Sequence, residues 1–319
     1  IISSIHIVNY SMTKSCTKCN EKATYFRKYS GEAHCNKCFS NSIIEKTKKT
    51  ISKHKMLKYG EKIAVAVSGG KDSLVLLDIL NKMSERQGSE ICAITIDEGI
   101  ETYREESISF SRNACNEMGI QQIVLSFEEL FNDSLDQIMD IRKDKTTSCT
   151  ICGTFRRRAI EIGAKKINAD VIATGHNLDD TLQTFLMNLF SGDIKRIKQS
   201  NHNLEKKDGF DFKRIKPLME IYEEEIVYYA FVNKIPIQSI DCPHSNESIR
   251  TEIRQILVDL EKKHPGIKLN TMRSINKILD NTENISEKQL QKCEVCNFPS
   301  SDKICSVCKT VNLVSSWKD

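Results

Sequence analysis

Thirteen cysteines stand in this chain of 319 residues, and eight of them fall into two spaced sets at its ends. Cys16, Cys19, Cys35 and Cys38 form C-x2-C-x15-C-x2-C, and Cys293, Cys296, Cys305 and Cys308 form C-x2-C-x8-C-x2-C. Each set offers four thiolates on two tight knuckles, the donors and spacing that close a tetrahedron around zinc. Between them, the stretch CTICGTFRRR places Cys149 and Cys152 just ahead of Arg156, Arg157 and Arg158, and Cys242 stands alone further on. Three soft donors, one short of a closed site, could hold a 4Fe-4S cluster with one iron open to hydrosulfide. The same residues would also serve a Cys149–Cys152 disulfide with Cys242 as a persulfide carrier, or a third zinc site. All three are expected in loops beside a nucleotide site, with the arginines facing phosphate. Cys92 and Cys115, in a strand-like and a helix-like stretch, read as small core residues.

A second chemistry lies in AVAVSGGKDSLVLLDIL, residues 64–80. Two glycines let the backbone approach a phosphate, and the start of the following helix points amide donors at it. The string is not G-x-x-x-x-G-K-[ST], so it is not the loop of P-loop kinases or GTPases.

The elements that carry these residues alternate from residue 61 onward. KIAVAV, EICAITID, QQIVLSF and DVIATG read as strands, each followed by a helical pattern: SLVLLDILNKM, TYREESISFSRNACNEMG, TFRRRAIEIGAKKINA and LDDTLQTFLMNLFSG. Such alternation predicts a parallel sheet with helices on both faces, binding its ligand at the carboxyl ends of the strands. FKRIKPL reads as a further strand, MEIYEEEIVYYAFVNK as a helix, residues 193–212 as a mobile loop, and 246–280 as two helices split at HPG. The expected organisation is an extension (1–11), an N-terminal zinc module (12–40), a basic linker helix (41–60), an ATP-binding catalytic domain (61–245), a helical segment (246–285) and a C-terminal zinc module (286–319).

With SGGKDS after AVAV, the chain resembles the pyrophosphate-loop, or PP-loop, proteins of the adenine nucleotide alpha hydrolase superfamily. The resemblance implies that Ala66, Ser68, Gly69, Gly70, Lys71, Asp72 and Ser73 line the ATP site, with Asp97 of ITIDEG near the nucleoside. In ATGHNLDD, Gly175 and Asp180 would border the pocket, Asp180 as a magnesium-binding or catalytic carboxylate. For His176 and Asp179, loop hydrogen bonding and helix capping stand beside a catalytic role. The whole pattern, from the first cysteine set through CTICG, GHNLDD and Cys242 to the last set, resembles the tRNA 2-thiouridine synthetases of the TtuA and NcsA group. That likeness implies an α/β fold, a PP-loop domain flanked by N- and C-terminal zinc ribbons. It implies Cys149, Cys152 and Cys242 as ligands of a catalytic 4Fe-4S cluster, with ATP, magnesium and two zinc ions, and a homodimer. Arg156 falls where relatives commonly carry a basic, often lysine, residue near the adenylate; an arginine keeps the charge but does not serve readily as a base. The implied reaction is adenylation of a tRNA uridine followed by sulfur transfer, from sulfide or a ubiquitin-like thiocarboxylate carrier. LMNLFSGD (186–193) looks more like the branch acting at wobble uridine 34 than the one acting at T-loop uridine 54. A PP-loop amidotransferase or ligase would leave the three cysteines unused, and a zinc-ribbon RNA-binding protein would leave the ATP loop idle.

Composition fits this picture. The net charge is only +4, but basic residues cluster at 46–58, 156–158 and 195–207, and phosphate contacts need a positive face rather than a positive sum. The zinc modules and the helix at 41–58 are therefore expected to contact tRNA. Tyr25, Phe26, Tyr29 and Phe39 are expected to pack against the metal knuckles, with base stacking the alternative. No apolar run approaches the roughly 20 residues that cross a bilayer, and IISSIHIVNYS lacks a basic leader pattern. Met12 then reads as the start, and the cytoplasm as the compartment.

Overall fold

The computed structural model describes residues 14–199, 212–238, 242–244, 249–281 and 291–318; the expected extension at 1–11 lies outside them. The chain opens with a hairpin, β1 (Tyr25–Arg27) and β2 (Glu32–His34), followed by helix α1 (Asn36–Lys53). Then come β3 (Ile63–Ala66), α2 (Lys71–Gln87), β4 (Ile91–Asp97), α3 (Tyr103–Met118) and β5 (Gln121–Ser126). Two short helices, α4 (Phe127–Phe131) and α5 (Leu135–Asp140), lead to α6 (Ser148–Lys166), β6 (Val171–Thr174) and α7 (Leu178–Phe190). The remainder is α8 (Ile194–Gln199), β7 (Lys213–Ile215), α9 (Glu223–Val232), α10 (Arg250–Lys263), α11 (Ile267–Asn281), a small hairpin of β8 (Gln291–Lys292) and β9 (Pro299–Ser300), and α12 (Ser306–Lys318).

Strands β3 to β7 form one sheet in the order β5-β4-β3-β6-β7, every pair parallel. The chain runs outward from β3 to β5, then returns to pair β6 on the other side of β3. That reversal opens a crevice at the carboxyl ends of β3 and β6, where ligands of open α/β sheets bind. Both strands are apolar because helices cover both faces: Ile63 and Val65 enter one core and Ala64 the other. The first core lies under α1, α2 and α9, the second under α6 and the C-terminal module. Cys115 is buried in the first and Cys92 in the second, as expected.

The two cysteine modules join opposite cores. Phe39, Ile43 and Ile51 of α1 belong to the first, and Cys293, Cys305, Cys308, Val314 and Trp317 to the second. The N-terminal module is also tied by charge: Arg27 Nε and Lys46 Nζ lie 2.6 and 2.9 Å from the fully buried carboxylate of Glu225, which also accepts the Tyr29 hydroxyl at 2.8 Å. Tyr29 stacks on Tyr222, and Tyr25 packs with Phe39 and Tyr228, so Tyr25, Tyr29 and Phe39 serve packing, but against Tyr222 and Tyr228 at α9 rather than against the metal knuckles as expected. Several lysines of α1 have structural partners, Lys46 with Glu225 and Lys53 with Glu220 at 2.6 Å, and the helix is less a free cationic face than its sequence suggests.

Three boundaries differ from the sequence reading. Helix α1 starts at Asn36, inside the metal module, because Cys35 acts as its N-cap and accepts the Cys38 amide. Helix α6 starts at Ser148, because Thr147 caps it by accepting the Thr150 amide. Cys149 and Cys152 thus stand in the first two turns of a helix, not in a loop. Within the stretch expected as a loop, residues 194–199 form α8, opened by Asp193 accepting the Arg196 amide at 2.9 Å; residues 200–211 lie outside the described residues.

Candidate active site

The SGGKDS turn links β3 to α2 at the mouth of the crevice. Gly69 has φ +85°, and a Cβ there would stand 1.9 Å from the carbonyl oxygen of Ser107 on α3, so only glycine lets the loop pass. The loop is braced from within by Ser68 and Ser73, whose hydroxyls are 3.2 Å apart. Across the crevice, a Cβ on Gly175 would meet the backbone of Asp72 and Ser73 at 2.9 Å. Ala66 ends β3 opposite Thr174 of β6, and Asp97 ends β4 with its Oδ1 accepting the Gly99 amide at 2.9 Å. These expected nucleotide residues therefore converge on one edge of the sheet.

Lys71 is clamped between Asp72 (2.9 Å) and Glu223 (3.0 Å), and Arg254 closes on Glu223 at 2.6 Å. Burial alone would depress the Lys71 ammonium, but the two carboxylates outweigh it and raise its pKa above the ordinary lysine value. Asn177 bridges the halves: its Nδ2 donates to Asp72 at 2.9 Å while it forms a capping box with Asp180 at the start of α7. Burial, reinforced by Asp72, pushes the Asp180 carboxyl up to about 6. Its cationic neighbour is Arg250, at 3.6 Å. His176 opens to solvent within the crevice, hydrogen-bonded to Thr174 at 2.8 Å. Crowding by surrounding groups and the charges of Lys216, Arg250 and Arg156 hold it neutral, down to about 3. Lys216, just beyond β7, is likewise lowered by burial. Asp179 proves structural: buried, it accepts the Glu223 amide at 3.0 Å and the ammonium of Lys268.

The cysteine pair adjoins this crevice. Cys152 is buried, Cys149 exposed and Cys242 intermediate; burial pushes the Cys152 thiol up to about 11. Cys149 points to the carbonyl of His244, two residues past Cys242, at 3.9 Å, which brings the distant loop onto α6. All three are free thiols.

The three arginines have three different neighbours, because successive helical residues point about 100° apart. Arg156 donates to Cys152 Sγ at 3.0 Å and pairs with Glu98 at 2.8 Å. Glu98 is buried and also pairs with Arg104 at 2.6 Å, whose guanidinium donates to the Ser68 carbonyl at 2.9 Å. One unbroken chain of charge thus joins the thiol of Cys152 to the phosphate loop. Arg157 is exposed. Arg158, expected to face phosphate, instead stands over the Phe298 ring and reaches Cys296 and Cys305 at 3.6 and 3.7 Å.

Each outer set of four cysteines gathers its sulfur atoms within 4.8 Å of one another, and among the described residues no other set of three or more ligands does so. The three central thiols are spaced more widely than a single tetrahedral ion with metal–sulfur distances of about 2.3 Å requires. In the N-terminal set burial would raise Cys16, but the amides of Cys35, Lys18 and Cys19 bring it down to about 6; amides of Cys305 and Cys296 do the same for Cys293. The second knuckle of each set lies at a helix start, Cys35 capping α1 and Cys305 preceding α12, where the dipole favours a thiolate. Both sets fit a dication.

A family model described as the PP-loop domain matches residues 40–261. The fold superposes on the U34-tRNA thiolase NcsA from Methanococcus maripaludis, solved with its 4Fe-4S cluster, with a TM-score of 0.82 and 33% identity over 94% of this chain and 97% of that one. The chain belongs to the PP-loop tRNA 2-thiouridine synthetase family. A probable sulfurtransferase of Methanocaldococcus jannaschii is 35% identical over 95% of this chain and 89% of its own length. The cytoplasmic tRNA 2-thiolation protein 1 of Drosophila melanogaster is 36% identical over 92% and 85%.

Within this thiolase fold, several crevice residues carry no motif. Glu98, Arg104, Lys216, Glu223, Arg250 and Arg254 come from five separate segments brought together by the sheet topology. Only Glu98, next to Asp97 after β4, and Lys216, directly after β7, stood at strand ends where a site residue is anticipated.

Proposed function

We propose that this chain thiolates tRNA, adenylating a uridine with ATP and replacing its O2 by sulfur to give 2-thiouridine, with wobble position 34 as the target. The observation that carries the reading is the Ser68–Arg104–Glu98–Arg156–Cys152 chain, which sets a thiol centre directly against an ATP-binding loop.

The uridine O2 attacks the α-phosphorus as N3 gives up its proton, and pyrophosphate leaves into the SGGKDS loop. The amides of Gly69 and Gly70 and the ammonium of Lys71 meet the charge developing on the leaving phosphates. Asp180, with its pKa near 6, accepts a proton or, once ionised, holds magnesium. His176, held to Thr174 at 2.8 Å, offers a hydrogen bond at the mouth of the crevice. Hydrosulfide then attacks C2, AMP departs with the former O2, and N3 regains a proton. Cys149, Cys152 and Cys242 would hold a 4Fe-4S cluster, which supplies an open iron to carry sulfide. Arg156 keeps a fixed positive charge against Cys152 and acts by charge and position rather than as a base.

The two outer cysteine sets would each hold a structural zinc. Ile249, Ile256 and Leu260 leave an exposed apolar stripe on one side of α10, which supports a homodimer. No described helix is long and apolar enough to cross a membrane, consistent with the cytoplasm as the compartment. Sulfide or a thiocarboxylate carrier would supply the sulfur.

The deciding experiment incubates the iron-reconstituted protein anaerobically with unmodified tRNA, ATP and sulfide, followed by nuclease digestion and mass analysis. A 2-thiouridine dependent on ATP and iron, in the anticodon fragment, is the expected product. Thiolation in the T-loop fragment would reassign the position, and neither thiolation nor AMP would overturn the reaction.

A further inference from the structure

A second cationic face lies away from the linker helix, between α6, β7 and α8. Arg157, exposed and with no hydrogen-bond partner among the described residues, folds back along α6 until its Nη1 is within reach of Gly153, one residue past Cys152. Arg214 reaches α6 from β7 to pair with Glu161, one turn beyond Arg157, and is 42% exposed. Arg196, on α8, is 73% exposed and pairs with Asp193 at 3.2 Å. The three crowd one another: burial, then Arg214 and Arg196, lower the pKa of Arg157. Beside Arg196 stands an apolar corner that the core does not use, with Leu189 49%, Phe190 65% and Ile194 61% exposed.

An exposed ring near solvent-facing guanidinium groups, whose surface ion pairs are weak enough to yield to phosphate, is the combination that holds single-stranded nucleic acid, phosphates on the cations and a base on the ring. Helix α7 runs from the crevice to Phe190 over 13 residues, about 20 Å at 1.5 Å per residue. That span matches a few nucleotides of a tRNA loop.

Resting on the tRNA reading above, we infer that Arg157, Arg214 and Arg196 form the track along which the substrate loop enters, and that Phe190 stacks a base a few nucleotides from the reacting uridine.

Binding of unmodified tRNA to the full chain, followed by fluorescence anisotropy across a salt series, tests this with Phe190→Ala, Arg157→Gln, Arg196→Gln and, on α1, Lys49→Gln. Loss of one stacked base is worth a few kcal/mol, so Phe190→Ala should weaken binding about tenfold at every salt concentration. Each arginine variant should reduce the slope of log affinity against log salt by about 0.7–0.9, and Lys49→Gln should stay within twofold of the parent. All four replaced side chains are exposed, so melting temperatures should be unchanged. If the parent binds tRNA and the Phe190, Arg157 and Arg196 variants bind within twofold with its slope, the track is refuted and the surface belongs to a protein partner. If the parent binds no tRNA, the functional reading itself falls, and this inference with it.

Discussion

Glu98→Gln is the most informative single substitution. It preserves shape and removes one charge from a side chain that is 3% exposed, facing Arg104 at 2.6 Å and Arg156 at 2.8 Å. Arg104 is itself only 5% exposed and is held by the carbonyls of Ser68 and Ile96, so it cannot retreat to water. Leaving one member of a buried pair uncompensated costs about 3–5 kcal/mol. Arg156, 46% exposed, can turn outward, and its share is about 0–1 kcal/mol. At about 2–4 °C per kcal/mol for a large domain, the melting temperature should fall by about 10 °C. ATP affinity should weaken as well, because Arg104 keeps its bond to the Ser68 carbonyl but loses the carboxylate that orients it beneath the loop. Circular dichroism melts and ATP titration read both effects. Adding Arg104→Met should restore much of the stability, since an apolar replacement removes the stranded cation. A Glu98→Gln protein that melts within 2 °C of the parent and binds ATP equally would refute the reasoning.

Four other outcomes are expected. Burial raises the Asp180 carboxyl in the folded state to about 6 from an ordinary value of 3.8, so the folded state binds its proton more tightly and stability falls as pH rises between about 4 and 6. Asp180→Asn should flatten that part of a stability–pH profile and remove thiolation. Cys149→Ala, Cys152→Ala and Cys242→Ala should each abolish sulfur transfer while nucleotide binding persists; retained thiolation in any one would remove it from the ligand set. Gly175→Ala would drive a methyl into the Asp72 backbone at 2.9 Å, and should raise the KM for ATP at least tenfold with little change in tRNA affinity. Arg158→Ala should speed release of metal from the C-terminal site to a chromophoric chelator, with the N-terminal site as the unaffected reference.

What could be read without coordinates was whatever a local spacing encodes. The paired cysteine knuckles and SGGKDS between a strand and a helix are compact signals, and the alternation around them predicts the parallel sheet. The Glu98 network is invisible because Ser68, Glu98, Arg104 and Arg156 are recruited by three crossovers, and no spacing records which loop meets which. The start of α6 was misread for another reason: CTICG looks like a metal-binding loop, while the deciding cap is the ordinary Thr147 two residues earlier. Helices α4 and α5 were readable, since Ser126 with Glu129 and Ser134 with Gln137 are capping boxes, which spacing alone signals.

Most domains fray from their termini. Here the described chain begins and ends in cysteine modules anchored to opposite faces of one sheet, the first through Glu225 and the second through Arg158 and the buried Trp317. Were each set to hold the proposed zinc, opening of either module would await loss of its metal ion. With zinc in both sets, as proposed above, lifetime in a cell would become a readout of zinc supply: scarcity would expose one end of the described chain to proteases before the nucleotide site itself had changed, and the capacity to thiolate tRNA would decline through protein turnover rather than inhibition.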